Sequence, residues 1–259
     1  MGSLIGSTFR DTLAAQFNGI DEYMYVNDPT FKSDTAGAFA FWLRPTTVQT
    51  SNGIRGFIGY GTTSGANDSY FAIANRYNTT LGGFSRLEQR NRIVNGGNTL
   101  FHEGGSTLVA GSLYHIVIQS TGSTLTMYIN GVAETISSYL NNFTTPGSNN
   151  GNWLGDVSGT NHRLTFGVDW RANAALNYSA TKTNEGIYVG GRVLTGAEIT
   201  ALYNGGTPRN PHRITTLGSD LKSWWRFGDS RDDATTVYDE IGSNNLTLVN
   251  MDASNYVTP

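Results

Sequence analysis

The sequence NEGIYVGGRVLTGAEITALYNGG, residues 184–206, decides the fold because a strand pattern passes directly into a helix start there. Ile187 and Val189 alternate as in a half-buried strand, and a pair of glycines interrupts the alternation. Thr195 then begins a T-x-x-E capping box, and apolar residues follow it at helical spacing. A helix of about two turns is too short to be stable alone. The stretch therefore predicts one short helix, near residues 196–203, that docks on a larger sheet.

Segments with strand periodicity lie on the N-terminal side of this stretch. The clearest are residues 17–26, residues 39–45 and a hairpin over residues 113–131. The chain has 32 glycines and only 14% charged residues, which favours many short strands joined by turns. We therefore predict an all-β fold, a two-sheet antiparallel jelly-roll sandwich. Residues 1–16 are predicted to be an N-terminal arm, and residues 17–259 a single domain.

These segments resemble a known family. The pattern R-x-L-[ST]-x-x-E-I-x-x-L-Y-x-x-G is carried by Arg192, Leu194, Thr195, Glu198, Ile199, Leu202, Tyr203 and Gly206. The segments FNGIDEYMYV, FAFWLRP and LYHIVIQSTGSTLTMYING precede it in the order expected for that family. Together they resemble the laminin-G-like domains of the concanavalin A-like lectin/glucanase superfamily. The resemblance implies the jelly-roll fold, whereas function on this scaffold differs among lectins, glycosidases, adhesion modules and virion proteins.

The resemblance also implies a structural Ca²⁺ near the first strand and the strand before the closing helix. Asp21 matches the acidic position of the family in the first strand, and Glu185 stands where the family has an aspartate. Gly186 replaces a further acidic residue of the family pattern. Carboxylates are suitable ligands for a hard cation such as Ca²⁺. Asp21 and Glu185 are therefore the predicted metal ligands, and no other cofactor is expected.

The longest region without periodicity, residues 141–161, is the predicted location of a sugar site. Sugar binding requires aromatic ring faces together with amide or carboxylate partners for the hydroxyl groups. Trp153 is the first candidate for stacking, although the same residue could instead anchor its loop on the sandwich, and Trp170 is the second. The predicted polar partners are Asn150, Asn152 and Asp156.

Other functional classes are disfavoured by the sequence. A glycosidase of this fold needs two carboxylates across a cleft, and no glutamate begins an E-x-D-x-E motif. A net charge of −3 argues against a nucleic-acid surface, and Arg86, Arg90 and Arg92 are predicted to form a solvated strand face. No apolar run is long enough to span a membrane. We therefore predict that the chain is not an enzyme and binds neither nucleic acid nor membranes.

Composition guides the functional hypothesis. The N-terminus shows no secretory signal, and the chain is rich in Gly, Thr and Asn, poor in Lys and free of Cys. This resembles stand-alone jelly-roll domains of bacteriophage virion proteins. The first hypothesis is thus a non-catalytic protein of the virion surface, a capsid decoration or adhesin, held through its arm to a viral coat protein or to its own copies. The alternative is a lectin for a cell-surface or soluble glycan, exported by a non-classical route, and a glycosidase is a third.

Overall fold

The computed structural model describes residues 12–63, 67–229 and 231–259, which form nineteen strands and one α-helix. The strands are β1 (Ala14–Asn18), β2 (Tyr23–Asn27), β3 (Gly37–Pro45), β4 (Gly53–Thr62), β5 (Tyr70–Asn78), β6 (Phe84–Arg92), β7 (Leu100–Thr107), β8 (Tyr114–Ser120), β9 (Leu125–Ile129), β10 (Val132–Ala133), β11 (Ser137–Leu140), β12 (His162–Phe166), β13 (Asp169–Arg171), β14 (Ala174–Leu176), β15 (Ala180–Gly190), β16 (Leu221–Trp225), β17 (Thr236–Val237), β18 (Leu246–Val249) and β19 (Tyr256–Val257). The helix α1 spans Gly196–Tyr203, which confirms the prediction from the capping box. No helix in the described ranges is long and apolar enough to cross a membrane.

Sheet A has β15 at its centre. Its strand order is β10-β9-β8-β3-β15-β1-β19. One edge of β15 pairs with β3, and the other edge pairs first with β1 and then with β16. The predicted hairpin of residues 113–131 is confirmed as β8 and β9, followed by a tight turn in which Asn130 and Gly131 have φ values of 52° and 78°.

Sheet B is the larger sheet, with the strand order β11-β7-β6-β5-β4-β12-β2-β18-β17. Every pairing among the described strands is antiparallel. The prediction of an all-β, two-sheet antiparallel sandwich with one short helix is therefore confirmed.

The two sheets enclose the main hydrophobic core. Phe39 of sheet A and Phe71 of sheet B both belong to this core. Because side chains alternate along a strand, Ala38 points to the opposite face of sheet A, where it packs in a second cluster with Ile199 and Leu202 of α1. The outer face of sheet A is thus covered by the helix and the segment that follows it. No helix in the described part of the chain covers the outer face of sheet B.

The start of α1 is fixed by the predicted capping box. Thr195 Oγ1 accepts a hydrogen bond from the backbone N–H of Glu198 at 3.2 Å, and Glu198 Oε2 accepts one from the N–H of Thr195 at 2.8 Å. Arg192 donates to both carboxylate oxygens of Glu198, each at 2.9 Å. Partial burial acts to raise the pKa of Glu198, but these hydrogen bonds outweigh it and lower the pKa to about 2.

Two boundary predictions were wrong. The predicted first strand, residues 17–26, is two strands in different sheets, because Gly19 takes a φ of 76° and turns the chain between β1 and β2. Asn18 stabilises this turn by accepting a hydrogen bond from the N–H of Ile20 at 2.8 Å. The predicted arm also extends too far, because Ala14 and Ala15 are buried members of β1. Residues 1–11 of the predicted arm lie outside the described residues.

A short hairpin of β13 and β14 lies on the outer face of sheet B. Its backbone is in close contact with the glycines of β4: a Cβ atom at Gly56 would lie 2.3 Å from the backbone N of Asp169, and one at Gly59 would lie 2.3 Å from that of Trp170. Only glycine permits this approach. The glycines of β4 therefore determine where the hairpin places Asp169 and Trp170.

Candidate functional site

Trp153, the predicted stacking residue, is buried in the core with 0% of its surface exposed. Its ring lies 5.8 Å from that of Phe39 and 5.0 Å from that of Phe71, and its Nε1 donates to the hydroxyl of Tyr188 at 3.1 Å. Asp156 accepts a hydrogen bond from the backbone N–H of Trp153 at 2.8 Å. The prediction of a sugar contact was therefore wrong for Trp153, because the ring anchors its loop on the sandwich. Asp156 likewise serves the loop's own structure.

Two other predicted residues, Asn150 and Asn152, line a surface cleft of about 400 Å³. The cleft forms where the ends of β6, β7 and β11 meet the loop of residues 141–153. Asn91 and Asn98 also line it, so four carboxamide side chains face one cavity. We refer to this cavity as the amide cleft. A space of this size lies within the range of small-molecule sites.

Hydrogen bonds fix the orientation of these amides. Asn152 Nδ2 donates to Asn91 Oδ1 at 3.3 Å, Asn150 Oδ1 accepts from the backbone N–H of Asn152 at 3.2 Å, and Asn98 Oδ1 accepts from Asn141 Nδ2 at 2.7 Å. In the described ranges, no hydrogen bond uses the Nδ2 groups of Asn98 and Asn150 or the Oδ1 of Asn152. The cleft thus presents two N–H donor groups and one carbonyl acceptor to a ligand.

Aliphatic side chains complete the amide cleft. They are Ile93, Val94, Leu100, Leu140 and Pro146. Val94 is 56% exposed, which leaves apolar surface open at the cleft. The lining includes no charged and no aromatic side chain. The arrangement can therefore bind a neutral ligand that combines hydroxyl groups with apolar carbon atoms.

The loop that carries Asn150 and Asn152 is held rigidly against β9. Asn149 accepts a hydrogen bond from the N–H of Leu125 at 2.8 Å and donates to its carbonyl at 2.7 Å. Gly151 has a φ of 67°, and a Cβ atom there would lie 2.3 Å from the backbone N of Thr124. Together with the buried Trp153, these contacts hold the loop in place, and a wall fixed by the protein's own contacts reduces the entropic cost of binding.

Trp170, the second stacking candidate, belongs to a different surface. Its ring is 4% exposed, and the guanidinium carbon of Arg163 lies 4.3 Å from the ring centre. Arg163 also lies 4.0 Å over the ring of Tyr25, and Tyr23 is 6.2 Å from Tyr25 and 6.2 Å from Tyr178. We call Tyr23, Tyr25 and Tyr178 the tyrosine patch. It is separated from the amide cleft by β5, β4 and β12, so the structure does not bring Trp170 together with Asn150 and Asn152.

The sequence predicted a solvated face for the arginines of β6, but the structure shows that they do not form one. Arg90 is 4% exposed and forms an ion pair with Asp169, which the β13–β14 hairpin places over it. Glu88 is fully buried beside it, and burial raises the pKa of Glu88 to about 7. The residues Arg86, Glu88, Arg90 and Arg92 alternate along β6, and this pattern was the only sequence signal for a charged face. No local sequence pattern indicated that the β13–β14 hairpin covers this face.

Glu88 also bears on the glycosidase alternative. It lies directly opposite Glu103 in the β6–β7 pair, and burial raises the pKa of both carboxyl groups. The two residues are 0% and 1% exposed, and they form ion pairs with Arg76 and Arg86. A glycosidase must hold its carboxylates on either side of a sugar. A substrate could not reach these two side chains.

The predicted metal ligands do not converge. The last residue of β1, Asn18, pairs with Ala180 at the start of β15. Asp21 lies three residues beyond Asn18, whereas Glu185 lies five residues further along β15 in the opposite direction. Glu185 instead accepts a hydrogen bond from Trp224 Nε1 at 2.7 Å. A site shared by Asp21 and Glu185 was therefore a wrong prediction.

The described ranges contain no group of three or more His, Cys, Asp or Glu side chains arranged to hold a metal ion. Asp21 still accepts a hydrogen bond from Asn18 Nδ2 at 2.8 Å, so its carboxylate has a protein partner. Calcium binding stays a prediction, without the ligand pair that suggested it.

The sandwich and its amide cleft define a lectin-like jelly-roll protein. The chain belongs to the Laminin_G_3 family of the concanavalin A-like lectin/glucanases superfamily, whose family model matches residues 18–172. This match confirms the family that the sequence resembles. No curated protein sequence matches the chain.

Solved structures with the same fold include two that cover most of this chain. The CBM40 of Ruminococcus gnavus IT-sialidase, bound to α2,3-sialyllactose, is 13% identical with a TM-score of 0.53, and the match covers 75% of this chain and 100% of that one. The heptameric SAP-like pentraxin of Limulus polyphemus is 9% identical with a TM-score of 0.51, and the match covers 92% of each chain. At these identities the similarity establishes the fold alone.

Proposed function

We propose that the chain is a non-catalytic carbohydrate-binding protein whose ligand, a neutral glycan, occupies the amide cleft. The observation that carries the proposal is the set of unused amide groups, on Asn98, Asn150 and Asn152, beside open aliphatic surface. Neighbouring hydroxyl groups of a sugar can accept from the two Nδ2 groups and donate to the Oδ1 atom. The aliphatic side chains can cover the C–H groups of the same sugar.

Family and fold support the same proposal. The superfamily description includes lectins, and the CBM40 structure holds a bound oligosaccharide on a related sandwich. The burial of Glu88 and Glu103 supports a binding role without catalysis. A carbohydrate-binding function was the alternative hypothesis from the sequence, and it has more support than the virion hypothesis.

The virion hypothesis stays a prediction. It depends on an arm that contacts a viral coat protein or other copies of the chain, and residues 1–11 of that arm lie outside the described part of the structure. A location on a virion surface or outside the cell is likewise a prediction. Neither conflicts with glycan binding, because an adhesin on a particle would use the same cleft.

The test removes two Nδ2 donor groups from the cleft and keeps the hydrogen bonds that orient the same side chains. In the double variant Asn98→Asp/Asn150→Asp, each Oδ1 atom can still accept its present hydrogen bond, but both Nδ2 donors are lost. The matched control is Asn142→Asp, in the same loop, where Oδ1 accepts from the N–H groups of Thr144 and Thr145 at 2.9 and 2.8 Å and the residue does not line the cleft.

Binding to a glycan array, followed by calorimetry on the best ligand, gives the readout. Loss of two hydrogen bonds, at about 1 kcal/mol each, should weaken the affinity of the double variant about 30-fold, whereas the control should bind as the unmodified protein does. The variant Tyr25→Ala tests the tyrosine patch. If Tyr25→Ala abolishes binding while the double variant retains it, the site proposal is wrong, and if no glycan binds, the function proposal is wrong.

A further inference from the structure

The apolar lining of the amide cleft is entirely aliphatic. The face of a pyranose ring usually stacks on an aromatic ring in a protein site, because both surfaces are flat. No aromatic side chain lines this cleft: of the two aromatic residues in its loop, Phe143 packs against Phe101 and Tyr139, and Trp153 is buried in the core. Such a lining fits those C–H groups of the sugar that branched aliphatic side chains can surround, and a methyl group has that shape.

Val94 and Leu100 provide the apolar contact surface. Val94 is 56% exposed on the connection after β6, and Leu100 begins β7. Leu100 lines the cleft with 5% of its surface exposed, and Gly147 packs directly against it, since a Cβ atom at Gly147 would lie 2.8 Å from Leu100 Cδ1. Methyl-sized apolar surface is thus present in the same cleft as the unused amide groups of Asn98 and Asn150.

The polar lining narrows the ligand class further. Every polar side chain of the cleft is an amide or a hydroxyl, and the lining includes no charged group. A carboxylate or an ammonium group on the sugar would lose water without gaining a partner of opposite charge. Acidic sugars and unacetylated amino sugars are therefore disfavoured relative to neutral ones.

We infer that the amide cleft selects neutral 6-deoxyhexoses, sugars that carry a methyl group on C5 in place of a hydroxymethyl group. This inference rests on the proposed function and names the ligand class of the same site. The ring hydroxyls bind the amides of Asn98, Asn150 and Asn152, and the methyl group packs against Val94 and Leu100. The 6-hydroxyl of an ordinary hexose, placed against these side chains, would lose its hydrogen bond to water.

Two pairs of sugars test the inference, because each pair differs only at C6. L-rhamnose is compared with L-mannose and L-fucose with L-galactose, as methyl glycosides, by calorimetry or by NMR titration. We expect the 6-deoxy member of at least one pair to bind 10- to 100-fold more tightly than its 6-hydroxy partner, the range over which an apolar pocket rejects an added hydroxyl group.

A pair of variants links the preference to the cleft. Val94→Thr replaces one methyl group by a hydroxyl group of similar size and should reduce the preference several-fold. Val109→Thr is the matched control, because Val109 is 55% exposed and lies outside the cleft, and it should leave the preference unchanged. A preference that survives Val94→Thr in full overturns the inference.

The outcomes separate the two proposals. If hexoses bind and their affinity depends on Asn98 and Asn150, but both members of each sugar pair bind equally, the inference is wrong while the proposed function stands. If the 6-hydroxy sugars bind more tightly, the inference is also wrong. If no sugar on the array binds, the proposed function is wrong, and the inference falls with it.

Discussion

The substitution Glu88→Gln should make the protein more stable at alkaline pH. Glu88 is 0% exposed, and neither of its carboxylate oxygens has a hydrogen-bond partner within the described ranges. Its nearest cations are Arg76, with Nε 3.5 Å from Oε2, and Arg90, with Nε 4.0 Å from Oε1. Burial dominates over these attractions and raises the pKa of Glu88 from 4.5 to about 7. Glutamine has the shape of the protonated side chain but carries no charge at any pH.

The direction of the effect follows from proton binding. Between pH 4.5 and about 7 the folded protein holds more protons on Glu88 than the unfolded chain does, so the free energy of unfolding falls as the pH rises through this window. The contribution of protonated Glu88 is fully present below pH 4.5 and is lost above about pH 7. A difference in pKa from 4.5 to about 7 corresponds to about 3 kcal/mol.

Urea unfolding of both proteins at pH 5 and pH 8 measures this contribution. Between pH 5 and pH 8 the free energy of unfolding of the unmodified protein should fall by up to about 3 kcal/mol more than that of Glu88→Gln. The contributions of the other titrating groups are the same in both proteins and cancel in this difference. At pH 8 the variant should be the more stable of the two. If Glu88→Gln is instead the less stable protein at pH 8, the ion pairs with Arg76 and Arg90 outweigh the cost of burial, and the reasoning is refuted.

Four further predictions concern the core, the helix, the N-terminal arm and calcium. Trp153→Ala should cost about 3 to 5 kcal/mol of stability, because it leaves a cavity in the core beside Phe39 and Phe71, and a melting curve that matches the unmodified protein would show that the ring is not core. Thr195→Ala should cost about 1 kcal/mol through loss of the helix cap, measured by urea unfolding with Thr200→Ala as a control on the same helix. Deletion of residues 1–12 should leave a folded sandwich that no longer joins a particle or oligomer, and a deletion variant that still does so would contradict the predicted role of the arm. If the unmodified protein binds a structural Ca²⁺, excess chelator should lower its melting temperature, and an unchanged melting curve would contradict the calcium prediction.

The fold was predictable where local signals agree with long-range packing. The capping box at Thr195 uses only neighbouring residues, so the sequence alone located α1. The β8–β9 hairpin is equally local. The split between β1 and β2 was not predicted, although the Asn18-Gly19 pair is a local turn signal, and the turn at Gly19 assigns the two flanking strands to different sheets. Sheet membership depends on distant partners, and a single strand pattern does not encode it.

The site was predictable only in part for a similar reason. Asn150 and Asn152 are in the expected loop, but the residues that make a cleft with them, Leu100 and Leu140 among others, come from strands whose positions depend on the whole sheet. Trp153 has the same local sequence environment as the amides, and its burial is decided by Phe39 and Phe71 in two different sheets. Local composition identified the loop but not the direction in which its aromatic residue points.

The central position of β15 has a consequence for how the protein is synthesised. The family match ends at residue 172, yet the strand that joins β3 to β1 in sheet A is made only afterwards, at Ala180–Gly190. Until the ribosome has released that segment, the edges of β1 and β3 that pair with β15 are unpaired. The apolar side chains between the sheets are then only partly buried. Such edges can pair with other chains and lead to aggregation. A nascent chain stalled before β15 should therefore need protection by chaperones, and a fragment cut at residue 172 should not fold by itself.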